Sequence, residues 1–167
     1  MAIVNRYDRK MEALENAFNI SLQNRKILYK FLKDTPRDLL LKIPNGYRNN
    51  IWWNIAHVVV TQQLLIYKLG RQPMRVDSAL VEKFQKGTVP DGTASEEEII
   101  EITELLHATV EWAQEDYENG IFTNYQEYTT SANVTLKRVE DAILFNVFHE
   151  GIHLGTILSL QKAVRLT

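Results

Sequence analysis

The chain contains no cysteine. Disulfides, thiolate metal ligands and a protein thiol nucleophile are all excluded, so any metal must be held by histidine and any thiol must come from a co-substrate. Charge of one sign is also lacking: 19 Lys and Arg stand against 21 Asp and Glu, a net charge of -2, with no basic run. No positive field therefore recruits nucleic acid or anionic lipid. The opening "MAIVNRYDRK" has no apolar h-region, and no uninterrupted apolar stretch approaches the roughly 18 residues that suggest a membrane span. A soluble, cytoplasmic protein without nucleic-acid or membrane partners is expected. Internal repeats, low-complexity tracts and a dividing linker are absent too, and 167 residues suit one domain, read here as 1–167.

What is present is helical periodicity. Residues 4–34 return Tyr7, Met11, Leu14, Phe18, Leu22, Tyr29 and Leu32 to one stripe every three or four positions. A second helix is predicted from an Asn49 or Asn50 cap, after the turn at Pro44, Asn45 and Gly46, to about Leu69. Residues 71–94, with Pro73, Gly87, Pro90 and Gly92, form a long connection, read as a crossover or a cover over a site. The third helix starts at Ser95 and Glu98, a capping box, and carries Ile99, Ile102, Leu106, Val110, Ala113 and Tyr117 on its stripe. The stretch "IFTNYQEYTTSANV" has room for a short hairpin, and a fourth helix is predicted from a Thr135 cap to about Arg165. The fold class that follows is all-α, a four-helix bundle with a long connection between helices 2 and 3.

The 4 histidines divide by position. At about 100° per residue, His149 and His153 lie within about 40° of one another, amid Val139, Ala142, Asn146, Ile157, Leu160 and Val164, on the inner face of the fourth helix. His57 shares an inward set with Trp53, Asn54, Thr61, Leu64 and Leu65. His107 falls at the edge of its stripe and is expected at the surface or a boundary. Imidazoles at i and i+4 can converge on one ion, and a facing histidine adds a third ligand. Imidazole suits Zn, Ni, Fe or Cu, and three neutral ligands leave the ion its full charge and an open position.

The string "HEGIH" at 149–153 matches the HExxH word of helical zinc proteases. That reading needs a third ligand downstream of His153, and "LGTILSLQKAVRLT" offers no His, Asp, Glu or Cys. It also needs a sheet edge for a peptide substrate, which the helical pattern does not supply, so a protease is not expected.

One histidine in "NNIWWNIAHVVVTQQLLIYKLG" and two in "TLKRVEDAILFNVFHEGIHLGTILSLQKAV" make a pattern that resembles the DinB-like superfamily over essentially the whole chain. The resemblance implies that His57, His149 and His153 are the metal triad, with Zn or Ni foremost as the ion and Fe or Mn behind them. It also implies thiol-dependent S-transfer with a low-molecular-weight thiol co-substrate, as in bacillithiol-, mycothiol- or glutathione-dependent members. A hydrolase using metal-activated water and a non-catalytic metal or ligand-binding bundle are the alternatives, with a small molecule as substrate in the enzymatic readings.

Several neighbours are candidates for supporting roles. Glu150 lies beside the histidines and is read either as a general base or as a carboxylate paired across helices. Arg25, central in the apolar stripe of the first helix, must find an anion if directed inward. Glu150 and a substrate carboxylate are the candidates, unless Arg25 snorkels to the bundle end. Asn54 and Asn146, each three residues before a histidine, are read either as amides orienting imidazoles or binding water, or as satisfied buried groups. Thr61 has a similar but weaker claim, and Trp53 is a candidate pocket wall.

The fourth helix also has a back. Leu144, Phe148, Gly151, Gly155 and Leu158 lie away from the histidines, and helix 2 is apolar beyond its own histidine face through Ile55, Val58, Val59 and Ile66. A helix apolar nearly all round is buried on both sides. A homodimer built partly on these faces is expected, unless other parts of the chain cover them.

Overall fold

A computed structural model describes residues 6–166. The predicted start at residue 4 lies outside the described residues, and so does the side chain of Tyr7. The elements are α1 (Arg6–Asp34), α2 (Arg37–Leu41), α3 (Ile51–Gln63), a π-helical turn continuing it (Leu64–Lys68), α4 (Ser78–Phe84), α5 (Glu96–Glu118), β1 (Tyr128–Thr129), β2 (Thr135–Leu136) and α6 (Val139–Leu166). The chain is thus all-α apart from one small hairpin.

Four long helices, α1, α3 with its π turn, α5 and α6, form the bundle. Helix α1 packs on α5 and α6, and α3 packs on the same two, so α1 stands diagonally across from α3. Capping chemistry sets the starts. The Asn50 side chain accepts from Trp53 N at 2.8 Å, and Ser95 and Glu98 exchange bonds of 3.1 and 2.9 Å in a capping box. Two hydrophobic clusters fill the interior. One gathers Leu28, Ile55, Val59, Ile102, Leu106, Ile157 and Leu160; the other gathers Phe18, Ile66, Val110, Ala113, Leu136 and Ile143. Between them along the helices lies a buried polar layer of Ser21, Asn24 and Arg25 from α1, Gln62 and Gln63 from α3, Thr109 from α5, and Asn146 and Glu150 from α6.

Three sequence expectations change. The 71–94 connection contains a real helix, α4, capped by Asp77 on Ala79 N at 2.7 Å, with Leu80, Val81 and Phe84 buried against the core. Helix α6 does not begin at Thr135, because Thr129 and Tyr128 pair with Thr135 and Leu136 in the hairpin. The helix starts instead at Val139, where Asp141 accepts from Lys137 N at 3.0 Å. Finally, Ile55, Val58, Val59 and Ile66 are fully covered by this chain. Helix α3 is central, touching α2, α4, α5 and α6, so its back offers nothing to a second copy.

Helix α6 is long and apolar enough, by length and composition only, to cross a membrane. Its inner face nevertheless packs on α1 and α3 and carries Asn146 and Glu150 into the buried polar layer. That is the arrangement of a bundle helix, compatible with a soluble protein.

Candidate metal centre

Helix α3 brings His57 against His149 and His153, which stand one turn apart on α6. Each offers a ring nitrogen within 4.8 Å of the other two, and the ring centroids are 5.3, 4.7 and 4.5 Å apart. Zn–N bonds of about 2.0–2.1 Å place the nitrogens of one tetrahedral ion roughly 3.4 Å apart, so small ring rotations close the set.

The chain fixes which nitrogen two of the rings present. His57 Nδ1 is 2.6 Å from the Phe84 carbonyl. A carbonyl only accepts, so Nδ1 carries the proton and Nε2 keeps its lone pair. His153 Nδ1 is 2.8 Å from Asn54 Oδ1. That amide is oriented by its own Nδ2, which donates to Asn50 O at 2.7 Å and to Asn49 Oδ1 at 3.1 Å. His153 therefore also presents Nε2. His149 Nδ1 is buried without a partner among the described residues.

Burial lowers the pKa of all three rings. His149 falls to about 2, through burial first and then the nearby His153, His57 and Arg25. His153 falls to about 3, through burial and then His57. His57 is lowered by burial, partly offset by its bond to the Phe84 carbonyl. Three imidazoles held neutral at ordinary pH are ready as ligands, because no proton must leave before a cation binds. The donor set thus fits a divalent ion of the imidazole-preferring kind.

Neighbouring side chains complete the centre. Thr61 Oγ1 lies 3.2 Å from His57 Nε2. Trp53 stacks on His57 at 4.4 Å and 12°, with its indole N–H donating to Thr88 Oγ1 at 2.9 Å. A cavity of about 290 Å³ opens onto His57 and His149, walled by Leu64, Leu65, Leu69 and Phe145, with Lys68, Lys86 and the hairpin residues Tyr128, Thr130 and Ser131 around it.

Glu150 and Arg25 face one another instead of the cavity. Both side chains are fully buried. Arg25 donates to Glu150 Oε1 from Nη2 at 2.8 Å and from Nε at 3.0 Å, and to the Val58 carbonyl at 3.3 Å. Asn146 Nδ2 adds 2.8 Å to the same oxygen, and Asn24 Nδ2 reaches Oε2 at 2.9 Å. A carboxylate carrying four donors is engaged as the partner of a buried cation, so the general-base role gives way to the pair across helices. Arg25, neither snorkelling nor lining the cavity, loses its role toward a substrate anion. Asn146 hydrogen-bonds Glu150; Asn54 is the amide bonded to an imidazole. His107 is half-buried, edge-on to Tyr29 at 6.3 Å, and stands apart from the triad.

Sequence reasoning missed four contributors. The Phe84 carbonyl carries no side-chain signal. Asn24 lies about 100° round the helix from Arg25, off the apolar stripe, and was findable only once Arg25 had a partner. Lys68 lies eleven positions after His57, just over three full turns, so it was findable on the same face. Lys86 follows α4, which was itself unrecognised.

The family model described as DinB superfamily matches residues 22–157, a span that includes all three histidines. No curated protein matches the chain.

Proposed function

The chain belongs to the DinB superfamily, and on that premise we propose that it is a metal-dependent enzyme whose ion is held by His57, His149 and His153. The carrying observation is the convergence of three neutral imidazoles, two with Nδ1 fixed by Phe84 and Asn54, of which His57 and His149 line an open cavity. Zn or Ni is the expected ion, with Fe or Mn behind them. When bound, the ion supplies Lewis acidity that stabilises an anionic nucleophile in the cavity.

The reaction class is thiol-dependent S-transfer. A low-molecular-weight thiol loses its proton, its sulfur bonds to an electrophilic carbon of the second substrate, and the leaving group departs with the bonding electrons. The chain supplies no thiol of its own, which supports an external one. Within that scheme Asn54 and the Phe84 carbonyl orient imidazoles, and Trp53 packs flat on His57 to keep the ring from turning. The Thr61 hydroxyl stands where it can hydrogen-bond a nucleophile beside His57. Glu150 and Arg25 hold α1 to α6 behind His149.

The proposal includes a cytoplasmic homodimer, now joined through α6 alone. Leu144, Phe148, Ile152 and Leu158 are each about half exposed there, and nothing lies within 4 Å of a Cβ added at Gly151 or Gly155. A monomeric mass at micromolar concentration would remove that part of the reading.

The decisive test measures metal content by elemental analysis and conjugation of a small thiol to a model electrophile, for wild type beside His57→Ala. About one ion per chain in wild type, near none in the variant, and conjugation that tracks occupancy are expected. Ester hydrolysis without thiol dependence would favour the hydrolase. Equal metal in both proteins would sink the triad.

A further inference from the structure

We propose that the cavity above the triad selects molecules with an apolar body and a terminal anionic oxygen group, which Lys68 and Lys86 bind. This deepens the enzymatic reading and rests on it only for the identity of the cavity as the substrate site.

Charge carries the argument. The chain has 21 acidic residues and a net charge of -2, yet no Asp or Glu lines this cavity, and its only fixed charges are the two lysines. Several cations elsewhere are paired, Lys10 with Glu140, Lys83 with Asp91 and Glu98, Arg75 with Asp116, and Arg25 with Glu150. Among the described residues Lys68 and Lys86 form no such pair and stand exposed at the cavity. Two unpaired ammonium groups on a partly enclosed, largely apolar site focus a positive potential into it.

Both lysines are keyed to the elements that hold the imidazoles. Lys68 ends the π-helical turn that continues the His57 helix, where Leu69 N bonds Leu64 O at 3.2 Å across five residues. The wider turn slows the helical rotation, so Leu64, Leu65, Lys68 and Leu69 all stay on the cavity wall. Such turns often occur at functional sites. Lys86 follows α4 by two residues, and the last residue of α4 is Phe84, whose carbonyl fixes His57. Both lysines are therefore tied to the triad through short stretches of chain. A cavity of about 290 Å³ accommodates on the order of ten non-hydrogen atoms at liquid density.

The test compares octanoate with octanamide, equal in size and differing in charge, by calorimetry on metal-loaded wild type and Lys68→Ala/Lys86→Ala, and on His57→Ala as purified. Octanoate is expected to bind wild type about tenfold more tightly than octanamide. The double lysine variant should bring that ratio close to one, with metal content and thermal midpoint unchanged. The ratio should survive in His57→Ala. Equal binding of the two probes to wild type overturns the proposal, and so does a preference that persists without the lysines, because the anion then sits elsewhere. Failure of the metal reading shows separately, as equal metal content in wild type and His57→Ala with the octanoate preference intact.

Discussion

Replacing Arg25 by Met keeps most of the side-chain volume but strands the Glu150 carboxylate, which is fully buried. The variant loses the guanidinium bonds of 2.8 and 3.0 Å and leaves only the amides of Asn146 and Asn24 on the acid. Breaking a buried pair from one side costs about 3–5 kcal/mol. For a chain of this length each kcal/mol lowers the melting midpoint by about 2–4 °C, so a fall of roughly 6–20 °C is expected. Glu150→Leu should cost a similar amount by stranding Arg25. The double variant should be less damaging than the sum by at least about 2 kcal/mol, because neither charge is then left alone. It will not be neutral, since the Nδ2 groups of Asn24 and Asn146 lose their acceptor, at about 1–3 kcal/mol each. Urea unfolding of all four proteins in chelator gives the cycle. Single costs under about 1 kcal/mol, or strict additivity, would refute the clamp. Glu150→Gln adds a kinetic arm: a general base would cost about 10²–10⁴ in turnover, whereas the clamp predicts turnover per folded molecule within about tenfold of wild type.

Two other perturbations probe the imidazoles directly. Asn54→Leu removes the acceptor at His153 Nδ1 and should weaken metal binding about 10–100-fold. Asn54→Asp restores an acceptor and should recover most of it in competition with a chromogenic chelator; equal affinity in the two variants would remove the orienting role. Acid should destabilise the metal-free protein. His149 and His153 are held near 2 and 3 against about 6.5 unfolded, so in that interval the unfolded chain binds more protons and stability rises with pH. The slope is at most about 1.4 kcal/mol per histidine per pH unit. From pH 7 to 5.5 a loss of about 2 kcal/mol is expected by urea unfolding, then flattened by His149→Gln/His153→Gln; pH-independent stability would contradict neutral burial.

The long helices were legible because each repeats a wide apolar stripe and three or more turns average out local exceptions. The triad was legible for the same reason: spacing of four at His149 and His153 fixes a shared face whatever else the helix does. Helix α4 was not, since its 7 residues complete barely two turns and show only Leu80, Val81 and Phe84 as a stripe. Thr135 was mistaken for a cap because the apolar period through Leu136, Val139 and Ile143 runs unbroken across a strand and a helix. The π turn was invisible because one extra residue in a turn changes the hydrogen bonding without altering the alternation of apolar and polar letters.

The interruption of the core explains where the centre sits. A bundle filled with apolar side chains from end to end would exclude every ligand, and one with unpaired charge inside would not fold. Here two hydrophobic clusters supply the burial, and the layer between them is polar but neutralised, Glu150 against Arg25 and Gln62 against the Thr109 carbonyl at 3.1 Å. The histidines border that layer on the side that opens to the cavity. The Glu150 carboxylate is committed to Arg25, so it is not free to ligate a cation held by the imidazoles. A dication there would keep its charge for the nucleophile, and with Lys68 and Lys86 as the only other charges on the cavity, anions are the species that the site favours.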